Sequence, residues 1–197
     1  MIQGIIFDCF GVLIASDLQM RIDAVAKVDP DAGRSLTDIL KAIDRGMLSR
    51  EEATPEMAKL MQVDSEELAR SMNDSLVKNT ELTAYIRTLR SKYKLAMLSN
   101  VSGRDRLDQL FDPGELDELF DVVVASGDVG VIKPESEIYQ LTTEKLGVDP
   151  KDCVMIDDLP SYCKGAEAVG IRAIQFTSTP QAIADLEALI DRENQTD

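Results

Sequence analysis

Short apolar runs recur along the chain at residues 2–7, 95–98, 122–125, 153–156 and 171–176, and the first four close on Asp8, Ser99, Ser126 and Asp157. Each has the length of a buried strand. Between them lie amphipathic stretches such as Leu82, Ile86 and Leu89, or Ile138, Leu141 and Leu146, whose three-to-five spacing keeps the apolar side chains on one helical face. Strand alternating with helix predicts an α/β fold: a Rossmann-like, doubly wound parallel sheet covered on both faces. In such a sheet ligands bind beyond the carboxyl ends of the strands, where Asp8, Ser99 and Asp157 fall.

Residues 16–79 break the alternation. They contain no strand-like run, while helix start signals recur: Ser49 with Glu52, and Asp64 with Glu67, have capping-box spacing, and Gly46 suits a helix stop. Leu36, Ile39, Leu40 and Ile43 form one apolar face, and Leu68, Met72 and Leu76 another. The pattern predicts a small all-helical domain over residues 16–79, inserted after the first strand of a core formed by 1–15 and 80–197. Pro55 falls inside the third helix of the insert, where a proline removes a backbone donor. Five of the eight methionines (Met20, Met47, Met57, Met61 and Met72) lie in the insert and are read as core filler. Residues beyond about 190 read as a polar tail.

Composition narrows the chemistry. The chain has 197 residues, 44% hydrophobic and 29% charged, enough apolar mass for a core. Lysine plus arginine number 21 against 36 aspartate plus glutamate, a net charge of −15, which argues against nucleic acid and anionic membranes as partners. There is no histidine, so imidazole-activated nucleophiles and histidine general acids are excluded. Carboxylates, hydroxyls and lysines remain. Cys9, Cys153 and Cys163 are odd in number and flanked by apolar residues, which fits buried thiols in a reducing, cytoplasmic setting rather than a disulfide framework. The first residues lack a basic region, and no apolar run reaches the length of a membrane span.

Four places could carry chemistry. Asp8 ends the first run and precedes Gly11. Ser99-Asn100 ends the second, where a hydroxyl and successive backbone N–H groups could hold an anion. Lys133-Pro134 follows the third, and a lysine at a pocket edge supplies a point charge suited to phosphate. Asp157-Asp158 closes the fourth; adjacent carboxylates at a strand end repel each other unless a cation or donors lie between them. With Asp8 in reach they form an oxygen-ligand site for magnesium, which prefers one or two carboxylates plus water and substrate phosphate.

These segments, Ile6-Phe7-Asp8-Cys9-Phe10-Gly11-Val12-Leu13, Leu98-Ser99-Asn100, Lys133-Pro134-Glu135 and Ile156-Asp157-Asp158-Leu159-Pro160, resemble the four ordered motifs of the haloacid dehalogenase superfamily. The resemblance spans essentially the whole chain, and the helical insert resembles the C1-type cap of that superfamily. It implies a magnesium-dependent phosphatase of a small phosphorylated metabolite. Asp8 would attack phosphorus to give an aspartyl-phosphate that water cleaves. Asp8, the Phe10 carbonyl and Asp158 would hold Mg2+, with Asp157 behind Asp158 or alternating with it. Ser99, Asn100, Lys133 and Gly11 would bind the phosphate, with Lys133 screening Asp8.

Phe10 departs from the pattern. Most phosphatases of this type carry a second aspartate two residues after the nucleophile, which protonates the leaving group and then activates water; phenylalanine does neither. Substrates with good leaving groups, such as acyl, aryl or anomeric phosphates, should suffer least. Two alternatives follow: a phospho-ligand binding or regulatory protein on the same fold, or a metal-independent 2-haloacid dehalogenase. Asp17, Arg21, Arg45 and Arg50 are the charged insert residues that could face the site. Substrate identity and a monomeric or homodimeric state are not encoded in these motifs.

Overall fold

The computed structural model describes residues 1–74 and 76–194. Five parallel strands form the sheet: β1 (Gly4–Phe7), β4 (Lys94–Ser99), β5 (Val122–Ala125), β6 (Cys153–Asp157) and β7 (Arg172–Gln175), in the order β5-β4-β1-β6-β7. All five predicted runs are strands. β1 is central, paired through Phe7 with Met97 on one side and Ile156 on the other. Strand order reverses around β1, and the segments following β1, β4 and β6 therefore open on one crevice.

Side-chain alternation divides the core between the two faces. Ile5 and Phe7 point to one layer, where α5 (Thr80–Leu89) and α11 (Thr179–Asn194) contribute Leu82, Ile86, Ala182 and Leu186. Ile6 points to the other, packed by Ile138, Tyr139 and Leu146 of α9 (Ser136–Leu146) and by Ala166 of α10 (Pro160–Ala168). Short helices α6 (Arg104–Asp108), α7 (Glu115–Leu119) and α8 (Ser126–Val129) link the strands between β4 and α9.

The insert consists of α1 (Leu18–Val28), α2 (Pro30–Asp44), α3 (Arg50–Met61) and α4 (Ser65–Asp74), built around their own cluster of Ile22, Leu36, Ile43, Met57 and Leu68. Local signals place the helix starts: Asp29 accepts from the N–H groups of Asp31 and Ala32, Ser49 and Glu52 form a reciprocal capping box, and Asp64 accepts from Glu66 and Glu67. α3 runs through Pro55 without a break. Met57 is buried as filler, Met72 is buried but lies on the wall of the cavity beneath the insert, and Met20 and Met47 are exposed.

Three expectations need correction. The segment 16–79 is not wholly helical: β3 (Val77–Lys78) pairs antiparallel with β2 (Ile14–Ala15), and the Asn79 N–H donates to Leu13 O at 2.8 Å, closing the insert at its base. Leu76 lies past the end of α4 and packs on the sheet-side core, not with Leu68 and Met72. α11 continues to Asn194 rather than fraying at 190, because its apolar positions Ala182, Leu186 and Leu189 reach the core; the last part of the predicted tail, 195–197, lies outside the described residues. Among the described residues no helix is long and apolar enough to cross a membrane. Cys9, Cys153 and Cys163 are free and buried.

Candidate active site

The loop after β1 is drawn into a tight turn. Cys9 O accepts from Leu13 and Ile14 N–H at 2.8 Å each, and Gly11 N–H donates to Ile14 O at 2.8 Å. Asp8 N–H donates to Ile156 O, so the sheet pairing carries on to Asp8 and fixes its direction. Its carboxyl, 4% exposed, sits at the floor of a cavity of about 140 Å³ between the sheet and the insert.

Lys133 is the centre of the charge arrangement. It is 1% exposed, and its Nζ donates to Asp8 Oδ1 at 2.7 Å and to Asp157 Oδ2 at 2.6 Å. The lysine is thus the cation between Asp8 and Asp157, while Asp158 is left outside this pair. Burial alone would discharge this lysine, but Asp157 and Asp8 hold its pKa above the ordinary lysine range. Burial pushes the Asp8 carboxyl up to about 8, with Asp157 and Asp158 adding to the rise and Lys133 opposing it. A clamp fixes the lysine backbone: Asn100 Oδ1 accepts from Lys133 N–H at 2.8 Å, and Asn100 Nδ2 donates to Lys133 O and to the Tyr162 hydroxyl, both at 3.1 Å. The ammonium also lies 4.9 Å from the centre of the Tyr162 ring.

Asp157 is wholly buried, with its other oxygen accepting from Leu159 N–H at 2.9 Å. Asp158 is turned to the cavity beneath Gly11. A Cβ on Gly11, at φ +95°, would come within 2.4 Å of the Asp158 carboxyl, so only glycine permits this approach. Gly11→Ala should therefore displace Asp158 and, with alanine forced to a positive φ, destabilise the fold by more than about 1 kcal/mol. The urea midpoint of the variant against the parent checks this. Burial and then Asp157 raise the Asp158 pKa.

Asp8, Asp157 and Asp158 each offer an oxygen within 4.8 Å of the others. An all-oxygen donor set with two carboxylates facing the cavity fits a hard divalent cation such as magnesium.

Not every predicted residue reaches the cavity. Asp8, Phe10, Gly11, Asn100, Lys133 and Asp158 line it. Ser99 does not: it is wholly buried, its hydroxyl lacks a well-formed hydrogen bond, and its weak contact is with the Cys9 thiol. The Asn100 side chain is engaged in holding Lys133. Burial, followed by Asp8, drives the Cys9 pKa up, as expected of an inert thiol. Of the charged insert residues, Asp17 and Arg50 line the cavity, whereas Arg21 donates to Ser71 and Arg45 pairs with Glu135. Among the wall residues that the sequence reading did not single out are Tyr162 and Asp44. Tyr162 lies in the first turn of a helix that begins at a strand end, which is a usable signal for a crevice-facing position. Asp44 closes α2, where the helix dipole disfavours a carboxylate, a signal of a different kind.

With this geometry in view, comparison with known proteins is informative. Residues 2–170 match the family described as haloacid dehalogenase-like hydrolase. A phosphorylated carbohydrates phosphatase of Thermotoga maritima is 30% identical over 182 residues, covering 87% of this chain and 83% of that protein. A predicted HAD-like family hydrolase of Porphyromonas gingivalis superposes with a TM-score of 0.72 at 25% identity, covering 96% of this chain and 98% of the other. A HAD family enzyme of Bacteroides thetaiotaomicron, solved with magnesium and inorganic phosphate, superposes with a TM-score of 0.70 at 24% identity, covering 91% and 96%.

Proposed function

The chain belongs to the haloacid dehalogenase-like hydrolase family, and we propose that within it this protein is a magnesium-dependent phosphatase of small phosphorylated metabolites, with residues 16–79 forming a cap over the site. The observation that carries the reading is the convergence of three carboxylates at the cavity floor, two of them bonded to one buried lysine. The relative from Thermotoga maritima supports a phosphate ester of a small molecule as the substrate class.

In this reading Asp8 is the nucleophile. An Asp8 oxygen attacks phosphorus, the ester oxygen leaves, and water then cleaves the acyl phosphate; the carboxylate divides one hard displacement into two easier ones. Lys133 holds Asp8 in its attacking direction and offers positive charge to the transferring oxygens, which matters in a chain of net charge −15. Asp8, Asp158 and the Phe10 carbonyl would hold magnesium, which when bound neutralises phosphate charge and lets an anion approach an anion. Asp157 acts behind them by keeping Lys133 charged and in place. Asn100 serves as the clamp on Lys133, and Gly11 leaves room for Asp158.

A panel of phosphate monoesters, including acyl, aryl and anomeric phosphates, assayed with magnesium and with excess chelator, tests the proposal. Phosphate release that needs magnesium is the expected result. Equal release in chelator would overturn it. Halide release from a 2-haloacid without metal would favour the dehalogenase alternative. Tight binding of beryllofluoride with magnesium but no turnover across the panel would favour a binding protein.

A further inference from the structure

One proton in this reaction has no source among the residues already placed. When the P–O bond to the leaving group breaks, an alcohol oxygen needs a proton, and the position two residues after Asp8 is Phe10, whose ring packs on the core. The chain has no histidine to supply it. Lys133 is held charged between two carboxylates, and burial raises the pKa of Tyr162, whose hydroxyl accepts from Asn100.

Resting on the phosphate-ester reading, we propose that Asp44, delivered by the insert, is the general acid and base that Phe10 cannot be. It lines the same cavity as Asp8, Phe10, Lys133 and Asp158.

Its position is built rather than incidental. The Ser126 hydroxyl donates to the Asp44 carbonyl, tying the end of α2 to the core just past β5. The next residue, Arg45, donates to Gly130 O at 3.0 Å and forms an ion pair with Glu135, which lies two residues beyond Lys133. Glu135 in turn accepts from Ile132 N–H at 3.2 Å. Gly46 follows at φ +70°, so close to the core that a Cβ there would lie 2.8 Å from Gly127 O. Three consecutive residues thus fasten the Asp44 backbone to the segment that carries Lys133 by contacts independent of the substrate, and keep Asp44 on the wall of the cavity that holds Asp8.

The charge state suits the role. Burial pushes the Asp44 carboxyl up to about 7, against the opposing pull of Arg50 and Lys133. Its place at the C-terminal end of α2 acts in the same direction, since the helix dipole disfavours an anion there. Asp17, the other insert carboxylate on the cavity wall, sits at the start of α1. An acid near neutrality can give a proton and take it back.

The step balances. Asp8 forms a bond to phosphorus, the ester P–O bond breaks, and the leaving oxygen takes the Asp44 proton to depart as an alcohol. The Asp44 carboxylate then accepts a proton from the water that attacks the acyl phosphate; the bond to Asp8 breaks and phosphate leaves with Asp44 protonated again.

The test is a leaving-group comparison. Parent and Asp44→Asn are assayed with magnesium on a simple alkyl phosphate and on nitrophenyl phosphate, whose phenolate departs without a proton. The expected result is a fall in kcat/KM, which reports the step in which the leaving group departs, of about 10²- to 10⁴-fold on the alkyl ester and of less than about tenfold on the aryl ester, with kcat falling on both because the water step is shared. An equal fall in kcat/KM on both would make Asp44 a positioning residue and overturn the assignment, as would no fall on either, or a parent that cleaves only the aryl ester. The same split produced by Asp17→Asn instead of Asp44→Asn would also overturn it. A parent inactive on every phosphate ester with magnesium would refute the phosphatase reading itself, and this assignment with it.

Discussion

Asp8→Asn should remove hydrolysis almost entirely, on the order of 10⁴-fold or more in kcat, while leaving a protein at least as stable as the parent. The two halves of this expectation share one cause. Asparagine keeps the shape of the side chain and can still accept from Lys133 Nζ, so the cavity floor keeps its geometry. It cannot form the acyl phosphate. The parent carboxylate, by contrast, is expensive to bury: desolvation, then Asp157 and Asp158, outweigh the attraction of Lys133 and hold its pKa at about 8. Replacing it by a neutral amide relieves that strain. Steady-state rates and thermal midpoints on the same preparations check both halves. Near-parental activity would move the nucleophile away from Asp8.

The second large effect is expected on stability. Lys133→Met removes the only ammonium placed between Asp8 and Asp157 among the described residues, leaving two buried carboxylates facing each other. Breaking a buried pair by deleting one partner costs about 3–5 kcal/mol, a large fraction of the about 5–15 kcal/mol that holds a domain together. The urea midpoint should fall accordingly. Asp8→Asn placed on top of Lys133→Met should recover part of the loss, because one of the two opposed charges is then gone; the two substitutions touch the same ion group and are not additive. If the double variant is less stable than Lys133→Met, the cost lies in the lost methylene packing and not in the charges.

Much of this architecture is readable from the residues in order. The apolar runs locate β1, β4 and β6 because an inner parallel strand buried on both faces has few polar positions to blur its outline, whereas the edge strand β7 carries Arg172 and Gln175 and is marked by Ile171, Ala173 and Ile174. The capping pairs at Ser49 and Asp64 locate helix starts because their chemistry is local. The sheet order does not follow from any local signal, yet once β1 is central the convergence of Asp8, Asn100 and Asp157 is forced. What the sequence hides is direction. Ser99 and Asn100 are neighbours at a strand end, and nothing in the letters says that Ser99 turns under the sheet toward Cys9 while Asn100 reaches Lys133. Nor could a lysine 1% exposed be told from a solvated one, since its two partners lie 125 and 24 residues away. Asp44 was invisible for the same reason: its role depends on the docking of α2 against the turn at Ser126, a contact across 82 residues.

The β2–β3 ribbon carries a consequence of its own. Ala15 and Val77 are paired partners, so the chain leaves the core and comes back to it one strand spacing away, about 5 Å. A gap that narrow is the span of a hairpin loop of two residues. Everything between these positions is, topologically, a decoration on a turn. A shortened protein in which such a loop replaced residues 16–76 would keep Asp8, Lys133, Asp157 and Asp158 and forfeit Asp44 and Arg50 in a single cut. The join between core and insert therefore parts the carboxylates and lysine of the sheet from the insert side chains that face them, Asp44 among these, and a lineage could exchange the insert without rebuilding the sheet.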